Sequence, residues 1–336
     1  MSVIAGFIGA GFMGKTHAAA FAKLPGARIA YVMDINKERA EKLARELGGL
    51  ATDRVEDLLE DPSVNLVDVT TPTPSHPENV IRALEAGKHV IVEKPLALSV
   101  EETDHMLAAA RRSGRFLMVA HVLRFWPEYM AIQSILKGGR IGAPQQATAY
   151  RLSNGPQWAP WFRDPNMSGG ALLDLQIHDI DLCNWLFGMP KYVKASGVQD
   201  KYGAWSHVMT LISYQKTQVL IEASYSMPRD FPFTAGIRVM GEKGLVEYHF
   251  RAAGASFEQG QPVSYLLVHT DGMPNQKLKP KAGDGYENEI AYFVECIEKD
   301  SPPEIVTAED ARLAVQVAMA CRQSIETGEN VRVETA

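Results

Sequence analysis

Residues 6–21 read "GFIGAGFMGKTHAAAF" and hold Gly9, Gly11 and Gly14 in a G-x-G-x-x-G frame. An apolar run, "VIAGFI" (3–8), precedes the glycines, and a helix-compatible segment (12–23) follows them. Asp34 closes the next apolar run, "ARIAYVM" (27–33), 20 residues after Gly14. Strand, glycine turn, helix, strand and acid in that order are what a dinucleotide-binding βαβ unit requires. Gly9 makes the turn, Gly11 lets backbone approach a pyrophosphate, and Gly14 lets helix and strand pack closely. The helix start offers N–H groups to the phosphates. Asp34 accepts ribose hydroxyls and repels a 2′-phosphate, so NAD is favoured over NADP. Lys37 and Arg39, close by, are the residues that would receive such a phosphate. A glycine-rich turn with a chance acid is the bland alternative, and the agreement of order and spacing argues against it.

Outward from that motif, strand and helix signals alternate to about residue 122. "NLVDVT" (65–70), "KHVIVE" (88–93) and "RFLMVA" (115–120) are apolar and too short for helices. Amphipathic "NKERAEKLARELG" (36–48) and "SHPENVIRALEAG" (75–87) separate them. Strands apolar on both faces predict a parallel sheet covered on both sides. Ser99 with Glu102 predicts a capping box for a helix over 100–112, closed by Gly114. From residue 123 the period changes. After a helix over 128–137, period-two runs appear: "QATAYRL" (146–152), "HVMTLISY" (207–214) and "QVLIEASYSM" (218–227). "GIRVM" and "LVEYHF" flank "GEKG" (241–244), a tight hairpin. Two late helices are expected at 286–299 and 308–326. The fold class is α/β: a Rossmann doubly wound parallel sheet in 1–122, then an α/β domain with a large, mainly antiparallel open sheet in 123–336.

The chain has 336 residues, which suits two domains. Its net charge of −6 argues against a nucleic-acid surface. Cys183, Cys296 and Cys321 are few and far apart, so neither a disulfide framework nor a zinc knuckle is expected, and a reducing compartment is. The N-terminal stretch lacks a basic n-region, and no apolar run nears the ~20 residues that cross a bilayer. The expectation is a cytoplasmic protein.

Two further constellations carry chemistry. Glu93-Lys94-Pro95 ends a strand, and ligands of doubly wound sheets bind beyond the carboxyl ends of the strands. Lys94 is therefore expected beside the nicotinamide, unless it is an ordinary surface lysine. In "SGGALLDLQIHDIDLCNWLFG" (168–188), Asp174 and His178 are four apart and share a helix face. A carboxylate can orient or activate the histidine as a base for a hydroxyl proton. A buried His–Asp pair of purely structural use is the other reading. Asp181 extends the segment as a structural or substrate-contacting residue. No metal is expected: with Asp174 and Asp181, His178 has no second histidine at ligand spacing.

Together these residues resemble the Gfo/Idh/MocA family, which includes glucose–fructose oxidoreductase and inositol 2-dehydrogenase. The similarity runs over nearly the whole chain, through "TPTPSH" (71–76), "ALEAGKHVIVEKPLA" (83–97), "RFWP" (124–127), "YENEIAYFVECI" (286–297) and "AEDARLAVQVAMACRQS" (308–324). The resemblance implies an NAD-dependent oxidoreductase acting on a secondary hydroxyl of a sugar, a polyol or a sugar derivative. It implies dimers or tetramers built on the open sheet. It assigns catalysis to Lys94, Asp174 and His178, and cofactor contacts to Gly9, Gly11, Phe12, Met13, Gly14, Asp34, Thr71, Pro72, His76, Glu93 and Lys94. His121 faces the nicotinamide or the substrate. The proton acceptor is His178, with Lys94 as the alternative.

Leu123 stands where an arginine of inositol dehydrogenases would fall, which speaks against myo-inositol itself. Trp158 and Trp161, in "NGPQWAPWFRDP" (154–165), offer ring faces to a pyranose or pack under their own loop. Phe231 and Phe233 are weaker candidates for closing a pocket. Some relatives use NAD in a redox cycle to cleave glycosides, and a non-catalytic nucleotide-binding regulator is a third class. The presence of Lys94, Asp174 and His178 speaks against a regulator.

Overall fold

The structure is a computed structural model that describes residues 2–155, 160–254 and 262–334, without the side chains of Pro160 and Arg163. In chain order it opens with β1 (Ile4–Ile8), α1 (Phe12–Phe21), β2 (Arg28–Met33), α2 (Lys37–Leu47), β3 (Leu50–Thr52), α3 (Val55–Leu59), β4 (Leu66–Val69), α4 (His76–Glu85), β5 (His89–Glu93), α5 (Val100–Ser113) and β6 (Leu117–Ala120). There follow α6 (Pro127–Lys137), β7 (Pro144–Leu152), α7 (Pro165–Ser168), α8 (Gln176–Phe187), β8 (Tyr192–Gln199), β9 (Trp205–Ser213) and β10 (Gln218–Ser224). The rest is β11 (Thr234–Gly241), β12 (Gly244–Arg251), β13 (Val263–Thr270), β14 (Gln276–Leu278), α9 (Gly285–Glu298), α10 (Ala308–Thr327) and β15 (Val331–Arg332).

The chain forms two compact units. The first comprises Met1–Trp126 and Gly283–Arg312, the second Pro127–Ala282 and Leu313–Ala336. Set beside a single boundary at 122/123, the compact units break at 126/127, and Gly283–Arg312 groups with the N-terminal sheet. The reason is apolar. α9 lies against α1, and Ile290, Phe293, Val294 and Ile297 join Phe7, Phe21 and Phe125 in one buried cluster. Phe7 and Phe21 meet edge to face with ring centroids 5.8 Å apart.

The first unit's sheet has six parallel strands in the order β3-β2-β1-β4-β5-β6. Strand order reverses between β1 and β4, the switch point at which such sheets bind ligands. Each expected strand is present; short β3 is an addition at the edge. Ser99 accepts the N–H of Glu102 at the start of α5, and Gly114 ends that helix in left-handed backbone, as the capping signals predict.

The second unit holds a nine-stranded sheet in the order β14-β13-β12-β11-β7-β10-β9-β8-β15. β7 and β10 pair in parallel, and the other described pairs are antiparallel. The expected hairpin joins β11 to β12, with Gly241 opposite Gly244. α8 packs on β10 and β7. Gln176 fixes it there, donating to the Ile221 carbonyl (3.3 Å) and accepting from the Thr210 hydroxyl (3.0 Å). On the opposite face Met209, Leu211, Leu220 and Met240 are 41, 43, 36 and 41% exposed.

Candidate cofactor and catalytic sites

The glycine loop connects β1 to α1 in the first unit. Gly9 has φ +109°, and a Cβ there would lie 2.8 Å from the Thr70 carbonyl oxygen. A Cβ at Gly14 would sit 2.0 Å from the Gly9 carbonyl oxygen, so helix and strand approach only with glycine present. Gly11 is different: its Cβ would meet nothing within 4 Å, so the loop faces open space there. No side chain caps the α1 start, where Phe12 is exposed and Met13 half-buried. An uncapped helix N-terminus opening on free space fits a pyrophosphate. Asp34, at the end of β2, is 8% exposed and accepts the backbone N–H groups of Ala10 and Asn36, both at 2.8 Å. Each carboxylate oxygen carries two lone pairs, so one per oxygen is left for ribose hydroxyls. These residues fit a dinucleotide.

Beyond β4, Thr71 and Pro72 are half-buried and lead into α4. His76 is buried, with its ring nitrogens 2.9 Å from the Thr71 carbonyl and 3.0 Å from the Pro95 carbonyl. Burial holds its pKa below the ordinary histidine value despite those two carbonyls. Its ring thus sits between two loops and, being neutral, donates to one of the two carbonyls, reaching the cofactor region through Thr71 or Pro95. Glu93 is buried at the end of β5, and its Oε2 accepts the backbone N–H of Lys94 at 3.0 Å. Lys94 is half-buried and joined to Pro95 by a cis peptide. His121 is buried just past β6.

Two residues of this unit were not foreseen. His17 of α1 is wholly buried, its Nδ1 3.0 Å from Asp68 Oδ2 and its Nε2 3.2 Å from Glu93 Oε1. Burial disfavours charge on this imidazole, but Asp68 and Glu93 together hold its pKa well above the ordinary value. Burial likewise pushes Asp68 up, while Glu93 is held below the usual carboxylate value because His17 outweighs its burial. The sequence carried a signal: an acid inside the apolar strand "NLVDVT" requires a buried partner.

In the second unit, Ala171–Leu175 forms a π-helical turn that runs into α8. Asp174 lies in that wider turn and His178 in the regular helix, so the expected four-residue helical spacing spans a change of winding. Such turns recur at functional sites. Asp174 is buried and accepts a hydrogen bond from the Tyr225 hydroxyl, just past β10. Burial and the neighbouring Asp174 raise the Tyr225 pKa well above its ordinary value, so this hydroxyl donates at neutral pH. Tyr225 went unforeseen because 51 residues separate the pair. Next to the site, Asp179 receives Arg151 through two hydrogen bonds, 2.9 and 3.0 Å, wholly buried. His178 is half-buried, as is Trp161, which stacks on Phe162 with centroids 3.9 Å apart. Trp158 lies outside the described residues. No group of three His, Cys, Asp or Glu side chains suited to a metal occurs among the described residues.

Residues 3–121 match the profile of the GFO/IDH/MocA oxidoreductase family, NAD-binding Rossmann fold, and residues 129–247 match the GFO/IDH/MocA C-terminal domain. An inositol 2-dehydrogenase of Rhizobium meliloti is 30% identical over 314 residues, 89% of this chain and 90% of its own. The scyllo-inositol 2-dehydrogenase (NAD(+)) of Bacillus subtilis is 29% identical over 97% of this chain and 95% of its own. The crystal structure of GenD2 from gentamicin A biosynthesis, in complex with NAD, superposes with a TM-score of 0.84 at 25% identity, covering 99% of this chain and 97% of that one.

Proposed function

The chain belongs to the GFO/IDH/MocA family of NAD-binding oxidoreductases, and from that premise we propose an NAD-dependent dehydrogenase acting on a secondary hydroxyl of a sugar, an inositol-like polyol or a sugar derivative. The observation that carries the reading is the joint presence of an open glycine cradle and of Lys94, Asp174 and His178. A nucleotide sensor needs only the cradle.

Gly9, Gly11, Phe12, Met13 and Gly14 hold the pyrophosphate, and Asp34 the adenosine ribose. NAD, when bound, supplies the hydride acceptor. The protein's own residues manage the proton and the charge. His178 takes the hydroxyl proton on a ring nitrogen. The Lys94 ammonium stabilises the oxygen as it gains negative charge. Asp174, held by the Tyr225 hydroxyl, keeps a fixed carboxylate for orienting the base or a substrate hydroxyl. Trp158 and Trp161 offer ring faces to the sugar.

We further propose a homodimer or homotetramer joined through the outer face of the nine-stranded sheet, where Met209, Leu211, Leu220 and Met240 stand exposed. The protein is assigned to the cytoplasm: its three cysteines are free and buried, which suits a reducing compartment. No described helix is long and apolar enough to cross a membrane.

The test is a panel of sugars and polyols assayed for NADH and NADPH formation. NADH formation from one or more of them, lost in Lys94→Ala and His178→Ala with NAD binding retained, is the expected result. Glycoside cleavage without net NADH, or NAD binding with no turnover on the panel, would overturn it.

A further inference from the structure

His17, Asp68 and Glu93 come from three elements, α1, β4 and β5, and meet inside the first unit. Their relative exposures are 0, 1 and 7%. Two buried carboxylates and one imidazole are a poor device for stability alone, since well-packed apolar groups of the same volume do as well or better. What the trio provides, and apolar packing cannot, is an oriented acceptor. Glu93 Oε1 faces His17 Nε2 at 3.2 Å, while Oε2 accepts the Lys94 N–H at 3.0 Å. The approach of Nε2 to Oε1 is off the hydrogen-bond axis, so it acts as an ion-pair contact. Glu93 also feels the charge of Lys94, and the Tyr286 ring of α9 lies 6.5 Å from the His17 ring.

We propose that His17 is a positioning residue for Lys94. Held by Asp68, it fixes the Glu93 carboxylate, and that carboxylate fixes the backbone from which the Lys94 side chain departs. The helix that begins at the glycine cradle thereby sets the direction of Lys94 through one buried charge. The consequence for turnover rests on the reading of Lys94 as catalytic; the positioning itself does not.

Amide hydrogen exchange at Lys94 reads the contact directly, with no substrate. His17→Gln alone strands two carboxylates, so the variant is the charge-balanced His17→Gln/Asp68→Asn, beside Glu93→Ala. In both, the Lys94 amide should exchange about tenfold faster, while Val90, Ile91 and Val92 keep wild-type protection. With the substrate found by the sugar panel, kcat of the double variant should fall about tenfold and its KM for NAD stay within about threefold. Wild-type exchange at Lys94 in the double variant, or equal acceleration along all of β5, would overturn the proposal. A second measurement needs no variant: ring 15N shifts of the wild-type protein at pH 7.5 should show His17 protonated on both nitrogens. A bare Nε2 could not hold Glu93 and would overturn the proposal too. Wild-type turnover by Lys94→Ala would instead refute the catalytic reading and leave the exchange result standing.

Discussion

Asp34 accepts the backbone N–H of Ala10 at 2.8 Å, so the carboxylate expected to hold the ribose also ties the glycine loop to the end of β2. The two duties separate by mutation. Asp34→Ala removes a ribose acceptor and strands two backbone N–H groups. The KM for NAD should rise by about tenfold or more, roughly 1.4 kcal/mol of binding. NADP should lose less, because repulsion of its 2′-phosphate is lifted. Asp34→Asn keeps an acceptor for Ala10 but not for the Asn36 N–H, so it should lower Tm less than Asp34→Ala while still narrowing the NAD/NADP ratio. Steady-state kinetics with both cofactors decide it; an unchanged ratio in both variants would remove Asp34 from cofactor choice.

How much of this was legible in the sequence follows from the range of each interaction. The glycine loop, Asp34, Lys94 and the strands of the first sheet are local patterns, and periodicity exposes them. The edge strand β3 has only three residues, Leu50–Thr52, too few for a period. β8 blurs its alternation, with small Ala195 and Gly197 on its inner side and apolar Tyr192 and Val198 on its exposed side. The grouping of Gly283–Arg312 with the N-terminal sheet, the Tyr225–Asp174 bond and the His17–Asp68–Glu93 cluster all link residues far apart in the chain. The π-helical turn at Ala171–Leu175 is equally silent, since residue spacing cannot tell five-residue winding from four.

Tyr225 is the donor that Asp174 relies on. Tyr225→Phe keeps the ring and removes the hydroxyl, leaving a buried carboxylate short of one hydrogen bond. A hydrogen bond to a charged group is worth about 1.5–3 kcal/mol, so kcat should drop about 10- to 100-fold. Circular dichroism should be unchanged. A kcat within about twofold of wild type would show that Asp174 works without Tyr225.

The buried imidazolium makes stability depend on pH with a definite sign. His17 has an ordinary value of 6.5 when unfolded and a raised value when folded. Below 6.5 both states hold the proton and its contribution is complete. Above it only the folded state does, so stability declines as pH rises through the folded pKa. The slope is at most about 1.4 kcal/mol per pH unit. Between pH ~7.5 and ~8 the other shifted groups add little; above that window the unfolded thiols of Cys183, Cys296 and Cys321, raised from 9.0 in the fold, begin to count. Asp68, raised from 3.8, and Glu93, lowered from 4.5, act at carboxylate pH. His76 and His89, both lowered, are neutral in either state. Urea unfolding across that window should show the decline in wild type and lose it in His17→Gln/Asp68→Asn.

Phe293 joins α9 to the first unit's core and is 1% exposed. Phe293→Ala should destabilise that unit by about 3–5 kcal/mol, the usual cost of a large core truncation. If Gly283–Arg312 folds with the N-terminal sheet, differential scanning calorimetry of the whole chain should show the transition that NAD stabilises moving down. A loss confined to a transition indifferent to NAD would detach α9 from the dinucleotide-binding unit.

The outer face of the second sheet tests the assembly. Leu211 of β9 and Leu220 of β10 are direct cross-strand partners, and both are exposed. Met209 continues the stripe along β9, with Glu222 opposite it. Leu211 and Leu220 keep 43 and 36% of their surface in water in the single chain, and a second copy would remove that remainder at about 25 cal/mol per Å². Leu211→Lys with Leu220→Lys sets two like charges opposite each other on that face and leaves the inner face, with Val208, Ile212, Val219 and Ile221, untouched. Light scattering after gel filtration should read a multiple of 37.0 kDa for wild type and a smaller species for the double variant. Retained secondary structure by circular dichroism excludes misfolding as the cause. A wild-type monomer, or a variant with the wild-type mass, would mean that this face is not where copies meet.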